Sequence, residues 1–246
     1  MPEICIIVPI FNEEDAILGL PEAFSPFFDS SPFKIQVLLV NDGSTDKSLD
    51  RIREVCSKEV RFQFISFDRN YGLSSAIKAG FDQARTEWVG YIDADLQTSP
   101  MDFLKFDPYL ESFDLVMGNR KGSRKDTFVK RFSSKFANWF RDSLLHDEVQ
   151  DSGCPLKIIR REMAVSLPFF RGMHRFIPAL VLMRGGKVME IPVGHFDRTT
   201  GKSKFNLWNR LLSPLVDTLA VRWMIKRKIN YKITSSDLVN FKTGHS

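Results

Sequence analysis

Trp88-Val89-Gly90-Tyr91-Ile92, running into Asp93-Ala94-Asp95-Leu96-Gln97, is the stretch on which the fold turns. Its first half is apolar without alternation, the mark of a strand buried on both faces. Its second half places two carboxylates at i and i+2 just past the strand end, where continued strand geometry points them to one side. Upstream the same pattern recurs. Ile4-Cys5-Ile6-Ile7-Val8 is a buried-strand run closed by Pro9, followed by a helical stretch from about Glu13 to Phe28. Val37-Leu38-Leu39-Val40 is a second strand, and a helix over Asp46–Cys56 follows it, capped by Ser44 or Thr45. Phe62–Phe67 reads as a strand and Leu73–Ala84 as a helix. This β-α-β-α-β-α-β order predicts an α/β fold with a mainly parallel central sheet and helices on both faces.

Beyond the deciding stretch the pattern is less regular. Leu115-Val116-Met117 reads as a strand, Val129–Leu145 as a helix, and Val188–Val193 as an edge or mixed strand. No repeat and no low-complexity linker separates the halves, so they are expected to share one core. The 246 residues are 43% hydrophobic and 26% charged, which excludes a disordered chain. The net charge of +5 suits an anionic partner. Its basic residues thicken over Arg120–Arg141 and Arg198–Lys228, which favours bound anions over general solvation. Cys5, Cys56 and Cys154 form no CxxC or metal-ligand spacing and predict reduced thiols in a cytoplasmic protein. No basic leader precedes the first strand, and no apolar stretch approaches the ~20 residues of a membrane-spanning helix.

In a parallel sheet, ligands bind beyond the carboxyl ends of the strands. The residues there carry the chemistry, and each has two readings. Asp93 and Asp95, with Gln97, offer the oxygens that a hard divalent cation takes beside a diphosphate, or they form a solvated turn. Asp42-Gly43-Ser44-Thr45-Asp46 presents a carboxylate to a nucleobase N–H, or is an Asp-Gly turn into a capped helix. Pro9-Ile10-Phe11-Asn12-Glu13 cradles a base and ribose, or ends a strand with Asn12 capping the next helix. His195 has no nameable partner and is read as structural.

Four blocks occur in order: Val8-Pro9-Ile10-Phe11-Asn12-Glu13-Glu14, Val40-Asn41-Asp42-Gly43-Ser44-Thr45-Asp46, Arg69-Asn70-Tyr71-Gly72 and Asp93-Ala94-Asp95-Leu96-Gln97. Together they strongly resemble glycosyltransferase family 2, inverting enzymes of the GT-A (nucleotide-diphospho-sugar transferase) fold. Within it the chain looks like the polyprenyl- and dolichyl-phosphate sugar synthases, the dolichyl-phosphate mannose synthase group included. The resemblance runs from about Ile4 to about Lys228. It implies that Pro9, Phe11, Glu13, Asp42, Asp93 and Ala94 line the donor nucleotide pocket, Asp93 on the ribose–diphosphate side. Asp95 and Gln97 are implied to hold Mg²⁺ or Mn²⁺, and Asp93 and Asp95 to serve catalysis. Where many relatives continue with Asp or His and two prolines, this chain has Thr98-Ser99-Pro100, a change in loop stiffness.

Asp151-Ser152-Gly153-Cys154 looks like the family's Asp-x-Gly-Cys stretch, where the Asp lies near the acceptor and is a proposed base. A lipid phosphate is mostly ionised at pH 7, its second pKa lying near ~6, and needs little proton abstraction. Asp151 is therefore assigned to positioning as much as to base catalysis; its plainer reading is a turn before a strand at Leu156–Ile159. Gly118-Asn119-Arg120 and Lys130-Arg131-Phe132-Ser133-Ser134 resemble acceptor-phosphate elements, which selects Arg120, Arg131 and Ser134. Arg124 and Lys130 read better as a solvated helix face. The loop His195–Lys204 resembles the family's Arg-x-x-Gly-x-Ser-Lys loop, implying Arg198 and Lys204 on the diphosphate; otherwise it is a surface loop.

From Leu207 onward, apolar residues recur at helical period with Trp208, Trp223 and a basic complement, and Pro214 suggests a second helix starting there. These helices read as lying on a membrane surface or as packed on the chain itself or a partner. The expected division is a GT-A catalytic domain over 1–204, amphipathic helices over 205–233 and a tail over 234–246. The expected partners are a UDP- or GDP-hexose donor, a polyprenyl-phosphate acceptor (dolichyl or undecaprenyl) and the cytoplasmic face of a membrane. A membrane-protein partner or a homo-oligomer completes them, and nucleic acid is not among them. Two rival readings remain: a family 2 enzyme with a saccharide acceptor, and a non-catalytic nucleotide- or nucleic-acid-binding module.

Overall fold

The computed structural model describes residues 3–121, 140–145, 147–196 and 207–229, with 207–214 as backbone only. Seven strands form one sheet: β1 (Glu3–Ile10), β2 (Lys34–Asn41), β3 (Phe62–Ser66), β4 (Trp88–Tyr91), β5 (Leu115–Asn119), β6 (Lys157–Arg160) and β7 (Val188–Pro192). Their spatial order is β3-β2-β1-β4-β6-β5-β7. All neighbours pair in parallel except β6, which runs antiparallel to both β4 and β5. Six strands therefore end at one edge of the sheet, and β6 begins there.

The apolar runs explain this burial. Ile4, Ile6, Ile7 and Val8 of β1 have no solvent exposure, so both faces of the central strand are covered. Each such side chain stabilises the fold by roughly 1.5–3 kcal/mol. Helix α1 (Glu14–Ile17) leads into α2 (Leu20–Ser30), followed in chain order by α3 (Ser48–Lys58) and α4 (Leu73–Gln83). Ile6, Val37 and Phe62 share a register row and thus a face, and Phe24 of α2 packs edge-on against Phe62, ring centroids 5.8 Å apart. Ile7 points to the other face, where Gly80 of α4 leaves no room for a Cβ, which would lie 2.6 Å from the Ile7 side chain. Helices on both faces follow directly, as the sequence predicts.

Among the described residues, later helices include α5 (Arg161–Ser166), α6 (Ile177–Met183) and α7 (Leu207–Lys226), and a 3-10 segment covers Pro100–Tyr109. One continuous cluster of buried residues spans both halves, from Ile4 to Val221. Three local expectations change. The stretch Glu13–Phe28 is two helices, because the chain turns at Leu18–Gly19 between them. Helix α3 starts at Ser48, whose N–H bonds to the Asp46 carboxylate at 2.9 Å, so Ser44 and Thr45 are free for another task. Pro214 does not divide the C-terminal segment: α7 runs through it as one helix. Of the helix expected over Val129–Leu145, residues 140–145 are described, and they are helical.

Candidate active site

The loops after β1 and β2 are laced together by side chains reaching to backbone. Asn12 adopts a left-handed conformation, φ 53°, which Asn tolerates better than most residues. Its N–H donates to Ser44 Oγ at 3.0 Å, and its Oδ1 accepts from Thr45 N–H at 2.8 Å. Asn12 thus ties two loops together instead of capping α1. Glu13 N–H donates to Ser48 Oγ at 2.9 Å, and Lys47 N–H donates to Glu14 Oε2 at 2.9 Å. Pro9 and Phe11 flank this mesh and, like Glu13, are half-buried at the edge.

Asp42 organises the next loop. Its Oδ1 accepts from Tyr71 N–H at 2.7 Å; its Oδ2 accepts from Gly72 N–H and Asn70 Nδ2, both at 2.9 Å. The carboxyl is buried, and burial raises its pKa against the lowering pull of the Tyr71 and Gly72 amides. Gly43 is required here. Its φ is +64°, and a Cβ would fall 2.1 Å from the Arg69 carbonyl carbon. The loops after β2 and β3 therefore touch backbone to backbone, and Asp42 braces them.

After β4 the chain turns sharply. Leu96 has φ 51°, a left-handed conformation costing a non-glycine residue roughly 1–2 kcal/mol. The turn folds Gln97 back so that its N–H donates to Asp95 Oδ1 at 3.2 Å. Asp93, Asp95 and Gln97 are half-buried, and Ala94 is buried. The segment after β7 crosses this turn, Phe196 N–H donating to Gln97 O at 2.9 Å. Among the described residues, no group of three or more His, Cys, Asp or Glu side chains is arranged to hold a metal alone. One carboxylate with an amide oxygen nevertheless fits Mg²⁺ or Mn²⁺, which take remaining ligands from substrate phosphates and water.

The β5–β7 side is built from charges. Asp151 and Arg120, 31 residues apart, form a buried fork: Arg120 Nε to Asp151 Oδ2 at 2.8 Å and Nη2 to Oδ1 at 3.0 Å. Arg120 N–H adds a third bond to Oδ2 at 3.1 Å. Burial works against the guanidinium's charge, but Asp151 outweighs it and raises the Arg120 pKa above its ordinary value. Beneath, Glu190 of β7 accepts from the N–H groups of Gln150 and Asp151 at 2.8 and 2.9 Å. Arg141 pairs with Asp147 at 3.2 Å and donates to Ser152 Oγ and Val149 O. Lys157 opens β6, buried, and donates to Ser152 O at 3.2 Å and to Cys154 O.

The edge thus gathers Pro9, Phe11, Glu13, Asp42, Asp93, Ala94, Asp95, Gln97, Arg120 and Asp151. Arg131, Ser134, Arg198 and Lys204 lie outside the described residues. Sequence reading missed Arg141, Asp147, Lys157 and Glu190. A detectable signal existed only for Lys157, a cation inside the apolar run Leu156–Ile159.

A parallel-sheet α/β edge with these loops is the architecture of nucleotide-sugar transferases, and comparison with known proteins agrees. The profile of "Glycosyl transferase family 2" matches residues 5–169. The chain belongs to glycosyltransferase family 2, and it is an enzyme of that family. It is 32% identical over 231 residues to a dodecaprenyl-phosphate galacturonate synthase of Rhizobium johnstonii, covering 92% of this chain and 68% of that protein. It is 31% identical over 217 residues to an undecaprenyl-phosphate 4-deoxy-4-formamido-L-arabinose transferase of Pseudomonas fluorescens, covering 88% of this chain and 64% of that one. The chain spans 63–68% of the length of these and similar curated relatives. In fold it matches glucosyl-3-phosphoglycerate synthase of Mycobacterium tuberculosis, solved with Mn²⁺, UDP and glucosyl-3-phosphoglycerate. The TM-score is 0.69 at 18% identity, covering 90% of this chain and 80% of that one. The fold is GT-A.

Proposed function

We propose that this enzyme transfers a sugar from a nucleotide-sugar to a polyprenyl phosphate, with inversion and with Mg²⁺ or Mn²⁺. The observation that carries the acceptor is the gathering of three buried cations, Arg120, Arg141 and Lys157, around residues 147–154, with Lys157 held by the Ser152 and Cys154 carbonyls. Buried cations gathered at the sheet edge attract an anion more than a neutral hydroxyl. The names of the two polyprenyl-phosphate relatives support the same acceptor.

On the donor side, the loops of Pro9, Phe11, Glu13 and Asp42 receive the base and ribose, and Asp93 with Ala94 the ribose–diphosphate link. Asp95 and Gln97 would hold the divalent cation, which would supply positive charge for the departing diphosphate. The lipid-phosphate oxygen attacks the anomeric carbon opposite the leaving group; the bond to the diphosphate breaks, and the nucleoside diphosphate keeps the electron pair. The lipid phosphate is ionised at pH 7, so no base is needed, and Asp151 holds Arg120 rather than abstracting a proton. Arg131, Ser134, Arg198 and Lys204 complete the phosphate contacts. A saccharide acceptor is less favoured, because its hydroxyl needs a base and the Asp151 carboxylate receives the Arg120 fork.

Residues 1–204 carry the chemistry in this reading; 205–233 dock on the cytoplasmic face of a membrane, and 234–246 trail beyond. No helix among the described residues is long and apolar enough to cross a membrane. Helix α7 buries Thr218 and Val221 yet leaves Val216, Leu219 and Trp223 65%, 55% and 61% exposed. These three lie on one helical face, with the Arg227 guanidinium 5.8 Å from the Trp223 ring. An apolar stripe beside Lys226, Arg227 and Lys228 suits an anionic lipid surface.

The test incubates purified protein with Mn²⁺ or Mg²⁺, a short polyprenyl phosphate and a panel of labelled UDP- and GDP-sugars. Metal-dependent label entering the organic phase from one donor supports the reading and names the sugar. Label entering only a saccharide acceptor would overturn it.

A further inference from the structure

Lys157 is the only buried lysine among the described residues, at 2% exposure. It stands in register with Tyr91 on β4 and Met117 on β5, its Nζ 5.5 Å from the Tyr91 ring centre. Its ammonium also reaches the carbonyls of Ser152 and Cys154, in the turn that Asp151 opens and the Cys154 N–H closes on Asp151 O at 3.0 Å. Three groups thus pin the turn: Glu190 at its entry, Arg141 on Ser152 Oγ, and Lys157 at its exit.

Packing alone does not call for a lysine here. Burying an ammonium costs several kcal/mol, and an apolar side chain of similar volume would fill the space. We infer that Lys157 is a positioning residue for the transfer: its ammonium fixes the 151–154 turn, so that Asp151 holds the Arg120 guanidinium at the acceptor side. This inference rests on the lipid-phosphate reading for its acceptor, but not for the turn itself.

The charge is lost at accessible pH. Burial pushes the Lys157 pKa down to about 8, with Cys154, Asp151 and Asp93 raising it and Arg120 lowering it. Facing groups are Tyr91 of β4 and Asp93 just after it, Arg120 after β5, Asp151 and Cys154 from the turn, and His174 from the segment after α5. Above that pH the two turn carbonyls lose a cationic donor.

The experiment compares wild type, Lys157→Met and Lys157→Arg. In Lys157→Met, kcat falls about 10- to 100-fold from misplacement, while the KM for the donor stays within about twofold. Lys157→Arg recovers most of kcat, and the alkaline loss of activity expected of wild type moves to higher pH. Hydrogen exchange in residues 150–156 quickens in Lys157→Met at neutral pH without substrate. A folded Lys157→Met with wild-type kcat, or unchanged exchange in that segment, overturns the inference. If Lys157→Met does not fold, coincident pH profiles of wild type and Lys157→Arg overturn it. Should wild type label a saccharide instead, the acceptor reading fails, and the same variants on that acceptor still decide the role of Lys157.

Discussion

The two halves of one sheet edge are assembled by different forces. On the β1–β4 side, hydrogen bonds without ion pairs dominate: Asn12 to Ser44 and Thr45, Glu13 to Ser48, and the Asp42 carboxylate on the Tyr71 and Gly72 amides. On the β5–β7 side, Arg120–Asp151, Arg141–Asp147 and Lys157 place formal charges where water is scarce. A hydrogen-bonded mesh loses one bond at a time, each worth roughly 0.5–1.5 kcal/mol, or about 1.5–3 where a carboxylate accepts. A buried pair that loses one member strands a charge, which costs far more. The first side is held by a hydrogen-bonded mesh; the second is held by paired charges.

The largest effect is expected where this contrast is sharpest. Asp151→Ala leaves Arg120 buried without its fork and should destabilise the fold by about 3–5 kcal/mol. The paired change Asp151→Leu with Arg120→Met should regain most of that stability in denaturant melts while transfer stays lost. If the single and paired variants are equally unstable, the charged account of this side is broken. Next is Asp95→Asn, which should cut transfer by about 10²–10³-fold with the melting temperature unchanged. Nucleotide binding measured by calorimetry with and without Mn²⁺ locates that loss at the metal.

Smaller effects belong to the hydrogen-bonded side. Asp42→Asn turns an acceptor towards the Tyr71 and Gly72 N–H groups into a partial donor and should cost about 1–3 kcal/mol. Its kinetic signature is a raised donor KM with acceptor KM unchanged; a raised acceptor KM instead would erase the division between the sides. The smallest effect on stability is Trp223→Ala on α7, within about 0.5 kcal/mol for an exposed residue. Co-sedimentation with anionic vesicles should nevertheless weaken, and equal sedimentation would remove α7 from membrane docking.

The same contrast explains what the sequence discloses. The β1–β4 half reads directly, because each strand is an unbroken apolar run and each functional loop follows it within a few residues, as Asp42 follows Val40. Both-face burial, the alternation of strand and helix, and the position of Asp93–Gln97 past a strand end follow from pattern alone. The second half does not read so easily. Its pairs join residues far apart in sequence, Arg120 to Asp151 and Asp151 to Glu190, and no local period announces them. Antiparallel β6 is short and contains a lysine, so its burial is visible only once β4 and β5 flank it. Asp151 and Arg120 are legible singly, through family resemblance; their union is not. Backbone effects were hidden as well, since Asn12 and Leu96 give no sign in composition of a left-handed φ.

The most direct test of the central claim sets two acceptors side by side: a short polyprenyl phosphate and the same polyprenol without its phosphate, each with the labelled donor and Mn²⁺. The account predicts label in the phosphate alone, and loss of that label in the paired Arg120→Met, Asp151→Leu variant. Equal labelling of the free alcohol would contradict it, because the β5–β7 charges would then have no anion to receive.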